Sequence, residues 1–311
     1  MLKQPQQEGQ TYEHSPFSVT GQDSHKPLLV LLEKLAKAEG TTETIIPGLK
    51  VFRMSAPTEP FAVEYNPSIC IVAQGRKQVV VGNHQLEYNP VQYLVASLPV
   101  PVVAKIIEAS EKKPLLGIAI SIDILKVGQL LLSMPKSTAP PSDSTVLRVS
   151  PMEPVLYNAV FRLLQAACDE VEAKVLGAGI LHEVMFRVLS GAQGDMLRAL
   201  TVRDGPAQRV AQAVQYVQEH YHRPLDVVTI AKSVCVSSST LHHNFKEVMA
   251  LSPIQYLKQV RLHRARLLLV VDGLNVGEAA YQVGYNSLSQ FSREFKRMFG
   301  LLPSRMAGEL S

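Results

Sequence analysis

The chain has 311 residues, enough for two domains each with its own core, and its 46% hydrophobic and 19% charged content is that of an ordinary soluble protein. Its three cysteines, Cys70, Cys168 and Cys235, are odd in number and far apart, so they supply neither a disulfide framework nor a metal-ligand spacing. The net charge of +4 is unevenly spread: residues 206–305 hold 12 Lys/Arg against 6 Asp/Glu, and the remainder holds 19 against 21. The basic excess sits in the last third of the chain, as a module that meets a polyanion requires.

Residues 1–23 are polar and are expected to form a disordered tail. They lack the basic start and apolar run of a signal peptide, and no stretch reaches the roughly 18 apolar residues of a membrane span, so a cytoplasmic protein with reduced thiols is expected. The segment PLLVLLEKLAKAEG reads as an amphipathic helix, with Pro27 in its first turn, Leu28, Leu31, Leu32 and Leu35 as its stripe, and Gly40 as its stop.

From Gly48 to about Asp123 the pattern changes to short segments rich in Val, Ile and Tyr, punctuated by Gly, Pro and Asn about every ten residues. Gly82-Asn83 has the form of a two-residue hairpin turn. Six or more antiparallel strands of this kind predict a sandwich or small barrel, either packed solid or enclosing a ligand. Residues 133–151 are Pro/Ser-rich and read as a loop. Two helices follow, PVLYNAVFRLLQAACDEVEAKVL and, after a Gly-rich break, GILHEVMFRVLSG. Val155, Ala159, Leu163 and Ala166 share a face of the first, and Ile180, Val184 and Val188 a face of the second; they either pack on the strands or pair with a second subunit. Residues 192–205 mark the domain boundary.

Beyond it the chain says nearly the same thing twice. Asp226 to Pro253 and Asn275 to Pro303 align so that Ala231 matches Ala280, Leu241 Phe291, Phe245 Phe295, Lys246 Lys296 and Pro253 Pro303. Each copy reads as a short helix, a turn and a second helix. Asp226 caps the first, Asn275 and Glu278 form a capping box, and so do Ser287 and Gln290. Leu241, Phe245 and Met249 line one buried stripe, and Phe291, Phe295 and Phe299 the other. His242, His243 and Lys246 are left outward in the first copy, and Gln290, Arg293, Lys296 and Arg297 in the second. Gln and Arg near a helix start can donate to base edges in a major groove, and Lys or Arg further along suits phosphate oxygens. Between the copies, Ser252 caps and Gly273 stops a helix of about 18 residues, roughly 27 Å long, with Lys258, Arg261, Arg264 and Arg266 as a basic flank. Such a spacer suits two reading helices in successive major grooves, about 34 Å apart.

The run LHHNFKEVMALSPIQYLKQVRLHRARLLL, continued by AAYQVGYNSLSQFSREFKRMFGLLPSR, resembles the DNA-binding domain of the AraC/XylS family of bacterial transcription regulators. PSICIVAQGRKQVVVG and YLVASLPVPV resemble the cupin-like N-terminal domain of one branch of that family. The resemblance implies an α+β chain: a cupin-like antiparallel β-barrel with packed helices over residues 24–200, serving effector binding or dimerisation. An all-α DNA-binding domain over residues 206–305 would follow, its helix-turn-helix units at 226–250 and 275–300 joined by a linker helix. It places base-reading residues at Ser239, His242 and His243, and at Leu288, Ser289, Gln290 and Arg293. Leu288 would offer only an apolar contact to a thymine methyl. Two positions depart from the family's pattern: Cys235 stands where the turn glycine usually is, and Ala250 where a glycine matching Gly300 often is. If those positions need positive φ, each costs on the order of 1 kcal/mol.

The expected function is therefore a sequence-specific DNA-binding transcription regulator, controlled by a small-molecule effector in the barrel. Promoter duplex DNA, the effector, RNA polymerase and a second copy of the chain are the expected partners. The alternatives are a regulator whose N-terminal domain only dimerises, and a cupin enzyme fused to a DNA-binding module. The enzyme is disfavoured: His84 is the lone histidine among the strands, and no phosphate-cradling glycine loop or Ser/His/Asp grouping appears. Adjacent His242 and His243 point about 100° apart on a helix and do not form a metal pair. No catalytic residue, cofactor or metal is expected, and no effector-binding residue is assigned.

Overall fold

The computed structural model describes residues 26–90, 92–135 and 145–308; the expected tail lies outside them. Helix α1 (Lys26–Leu35) leads into β1 (Gly40–Glu43), β2 (Leu49–Met54), β3 (Phe61–Tyr65), β4 (Ser68–Gln74), β5 (Arg76–Val81), β6 (His84–Tyr88), β7 (Gln92–Ala96), β8 (Val100–Glu108) and β9 (Leu115–Ser121). Then come α2 (Ile124–Leu132), β10 (Leu147–Pro151), α3 (Pro154–Ala167), α4 (Glu170–Ser190) and α5 (Gly194–Ala199). The rest is helical: α6 (Pro206–His220), α7 (Val227–Ser233), α8 (Ser238–Met249), α9 (Pro253–Val270), α10 (Val276–Gln282), α11 (Leu288–Phe299) and α12 (Pro303–Gly308).

The strands form two antiparallel sheets, one of six strands in the order β1-β2-β9-β4-β7-β10 and one of four in the order β3-β8-β5-β6. The closed barrel is thus corrected to an open sandwich. The end strands β1 and β10 of one sheet and β3 and β6 of the other carry no ladder joining the sheets, so the hydrogen-bonded circuit never closes. The edges are protected in other ways: β1 is short, polar and mostly exposed, and β6 presents His84, Gln85 and Glu87 to solvent. β4 is buried along its five central residues and β7 along its last four, because α1 packs with α3 over the outer face of the larger sheet. The chain crosses between sheets at Gly75, whose φ is +87° and whose added Cβ would lie 2.5 Å from the Glu108 carbonyl. Only glycine fits that corner.

Several boundaries move. α1 ends at Leu35, and Gly40 opens a strand instead of stopping the helix. The break between the two long helices falls at Asp169, whose carboxylate accepts from the amides of Val171 and Glu172 to start α4. Gly177 and Gly179 lie inside α4, and at Gly177 the missing side chain admits Ile46, which an added Cβ would meet at 3.0 Å. Val155 is exposed, whereas Ala159, Leu163 and Ala166 are buried as the stripe requires. β1, α2 and α5 arise where no element was expected, and β10 inside the expected loop.

The cores divide unevenly. The sandwich, α1, α3 and α4 share one continuous apolar cluster with α6, α7, α8 and the first half of α9, from Leu28 through Phe245 to Val260. The second half of α9 builds a separate cluster with α10–α12 around Phe291 and Phe295. Phe245, Phe291 and Phe295 are fully buried, each stabilising the fold by about 1.5–3 kcal/mol relative to exposure.

Candidate nucleic-acid interface

The duplication extends to individual hydrogen bonds. Asp226 accepts from the Thr229 amide at 2.7 Å, and Asn275 from the Glu278 amide at 2.9 Å. In the turns, the Val236 amide reaches the Ala231 carbonyl at 3.1 Å, and the Tyr285 amide the Ala280 carbonyl at 3.0 Å. Ser237 caps α8 through the Thr240 amide, as Ser287 caps α11 through the Gln290 amide. At the far ends, the Ala250 amide bonds the Lys246 carbonyl and the Gly300 amide the Lys296 carbonyl. Asn275 and Glu278 complete a capping box. Ser287 and Gln290 make only half of one: the Gln290 side chain turns to Glu294, its Nε2 donating to that carboxylate at 3.2 Å. A full box appears at Ser252 and Gln255, where only the Ser252 cap was expected.

Cys235 has φ of 57° and Ala250 of 56°, beside 90° at Gly284 and 77° at Gly300. The first unit thus keeps the backbone of the second while carrying two side chains that disfavour it.

All ten residues anticipated for DNA contact are exposed, on two helices. Ser239, His242, His243 and Lys246 lie on α8, and His243 stands 3.7 Å from Glu247. Leu288, Ser289, Gln290, Arg293, Lys296 and Arg297 lie on α11; the Arg293 Nε donates to the Ser289 carbonyl at 3.3 Å, holding its guanidinium along the helix. Arg297 sits at the margin, lining a cleft of about 350 Å³ between β8 and helices α9 and α11. Leu288 is 52% exposed, an apolar tip at the start of α11.

The basic flank of the spacer is largely engaged within the protein. Lys258 donates to Glu294 at 2.7 Å, Arg261 to the Tyr221 and Arg223 carbonyls, Arg264 to Gln218 and Arg266 to the Ala62 carbonyl. Those guanidiniums tie α9 to its surroundings, whereas Lys246, Arg293, Lys296 and Arg297 are exposed. Glu294 went unnoticed in the sequence, although it stands four residues after Gln290. Burial works against its charge, but hydrogen bonds from Lys258, Tyr285 and Gln290 outweigh that and hold its carboxyl below the usual range. Burial, and then Glu294 itself, push the Tyr285 hydroxyl far up, so it remains a donor to that carboxylate at 2.8 Å. This knot fixes α11 against α9.

The helical part is also joined to the sandwich. The Val146 amide donates to the Val248 carbonyl at 2.8 Å, Gln218 to Glu64 at 2.6 Å, and the Tyr256 hydroxyl to the Pro99 carbonyl at 3.1 Å. Among the described residues no group of three or more His, Cys, Asp or Glu could hold a metal ion, and no helix is long and apolar enough to cross a membrane.

A sandwich followed by two matched helix-turn-helix units on one linker helix defines the class of tandem helix-turn-helix proteins. Residues 45–196 match the family description "AraC-type transcriptional regulator N-terminus", and residues 230–308 match "Helix-turn-helix domain". The chain belongs to the AraC/XylS family of transcriptional regulators. The arabinose operon regulatory protein of Escherichia coli is 32% identical over 97 residues, 31% of this chain and 33% of that protein. The HTH-type transcriptional regulator ArgR of Pseudomonas aeruginosa is 27% identical over 146 residues, 47% of this chain and 44% of its own length. These matches span about a third to just under half of the relatives' lengths. The structure of ToxT from Vibrio cholerae, solved with an unsaturated fatty acid bound, aligns over 85% of this chain and 95% of its own at 12% identity and a TM-score of 0.59. At that identity it shares the fold.

Proposed function

We propose that this protein is a sequence-specific DNA-binding transcription regulator whose helices α8 and α11 enter successive major grooves on one face of a promoter duplex. The observation that carries the reading is the matched pair of exposed helices, equal in their caps and end bonds, in two units joined by the single helix α9. Ser239, His242 and His243 read one half-site, and Leu288, Ser289, Gln290 and Arg293 the other. Lys246, Lys296 and Arg297 set register on phosphates. Residues 206–305 act as the DNA-binding domain, with units at 226–250 and 275–300, and residues 24–200 as the regulatory domain.

That domain holds a small-molecule effector between its sheets and passes its state to the helices through the bonds at Val248, Gln218 and Tyr256. The fatty acid bound to ToxT is in keeping with effector binding in this architecture. The domain also pairs with a second copy through α4, where Val171 and Val175 are exposed at 69% and 72%, one turn apart. The regulator works in the cytoplasm and contacts RNA polymerase at the promoter.

Selection of bound fragments from sheared genomic DNA by the purified protein tests the reading. The expected result is an asymmetric motif of two half-sites about one helical turn apart, bound with an affinity that falls steeply with salt. Recovery of fragments with no shared motif would overturn it.

A further inference from the structure

A half-buried lysine faces the interior of the sandwich, where a core would place an apolar side chain. Lys77 shares its side of β5 with Val79 and Val81, which are buried at 0% and 5% exposure, so alternation turns it inward. A register shift between Arg76 and Lys77, immediately after the Gly75 corner, aims it there. Its ammonium lies 5.1 Å from the centre of the Tyr65 ring and 5.8 Å from that of Phe52. Room for the Phe52 ring comes from Gly117, where an added Cβ would lie 2.4 Å from the Phe52 Cζ.

Around Lys77 are two tyrosine hydroxyls and no carboxylate paired with it. Tyr88 faces it across the β5–β6 ladder, and the Tyr88 and Tyr65 hydroxyls are buried without a hydrogen-bond partner. Tyr88 is 1% exposed and Tyr65 9%. The nearby acids, Glu87 and Glu108, both pair with Arg76 instead. Burial pushes the Cys70 thiol up, with the charge of Lys77 pulling the other way, so Cys70 stays a neutral thiol and supplies no counter-charge. A hydroxyl oxygen can accept from the ammonium, but no carboxylate balances its charge, and a cation so placed is costly unless an anion completes it.

Accordingly we propose that Lys77, Tyr65 and Tyr88 form the anchor of an effector site for a small monocarboxylate, its carboxylate accepting from the ammonium and the two hydroxyls and its body lying against Phe52. One ammonium matches one negative charge, and three donors match the lone pairs of one carboxylate. The proposal rests on the reading that the regulatory domain binds an effector, and it names that effector's chemical class.

The test uses the full chain with acetate, hexanoate and benzoate, each beside its neutral amide, followed by calorimetry and thermal unfolding. At least one carboxylate binds and raises Tm, its amide binds roughly tenfold or more weakly, and Lys77→Met removes the difference. Tyr88→Phe, which keeps the ring, weakens carboxylate binding with Tm held or raised. Carboxylates indistinguishable from their amides, or carboxylate binding unchanged in both Lys77→Met and Tyr88→Phe, would overturn the site. Promoter affinity measured with the bound carboxylate separates the two readings: an unchanged affinity leaves the site standing and removes effector control.

Discussion

Gly82, at the tip of the β5–β6 hairpin, lies against the backbone of Ala250, the left-handed residue that ends α8; a Cβ on Gly82 would sit 2.3 Å from the Ala250 carbonyl oxygen. A turn of the sandwich and the end of the second helix of the first helix-turn-helix unit are thereby in direct backbone contact. Gly82 also has φ of +56°, so Gly82→Ala adds backbone strain to a clash. The expected loss is about 1–3 kcal/mol in urea unfolding. Footprinting should show weaker protection of the half-site read by α8 and little change at the other. Equal weakening of both half-sites would show that the contact does not act on the first unit alone.

The strained positions in the first unit can be relieved. Cys235→Gly and Ala250→Gly should each raise stability by about 0.5–1 kcal/mol, since the released strain exceeds the added freedom of the unfolded chain. The same change at exposed Thr240, within α8, should destabilise by a similar amount. Denaturant midpoints of the three variants check the signs.

Base reading and phosphate contact separate by their signatures. Arg293→Ala should relax preference at one position of the site and cost about 1–3 kcal/mol there, whereas Lys296→Ala should weaken all sequences alike and flatten the salt dependence. His243→Ala should weaken the half-site opposite to the one affected by Arg293→Ala. Selections repeated with each variant decide; unchanged preference for Arg293→Ala removes its base-reading role.

His263 lies on the buried side of α9, edge-on to Phe299 at 5.5 Å, with its Nε2 lacking a hydrogen-bond partner. Burial, and then the charges of Arg266 and Arg264, bring its pKa down from 6.5 to about 4. The unfolded chain therefore takes up a proton between about pH 6.5 and 4 that the folded chain refuses. Stability is full above that window and falls as pH drops through it, by on the order of 3 kcal/mol. His263→Leu should remove that part of the acid slope, as read from unfolding curves between pH 4 and 7.

The helical half was open to reading because its signals are local. Caps, αL ends and a four-residue apolar spacing are set by neighbours in the chain, and the matched copies checked each other residue by residue. The same locality gave the strands and the Gly82-Asn83 turn. What escaped were relations between distant segments. Barrel or sandwich depends on whether β6 and β10 exchange hydrogen bonds, which no alternation pattern records. The glycines at 177 and 179 suggested a break, but Gly177 serves the packing of Ile46, some 130 residues earlier, while Asp169 marks the true helix start. The basic flank of α9 finds its carbonyl and carboxylate partners in segments far away in the chain, which a local pattern does not show. Lys77 read as one more strand residue because the run Val79-Val80-Val81 does not show which side of β5 faces inward.

The apolar cluster shared by the sandwich and the first helix-turn-helix unit makes those two regions one cooperative body, with the second unit built on its own. Slow amide exchange should therefore report two openings. One is common to β4, β9 and α8, and the other, lower in free energy, is confined to α10–α12. A chain cut before α6 would strip the first unit of neighbours such as Val81 and Val146 while leaving the Phe291–Phe295 core whole. The fragment would keep one firm helix-turn-helix unit and one loosened one.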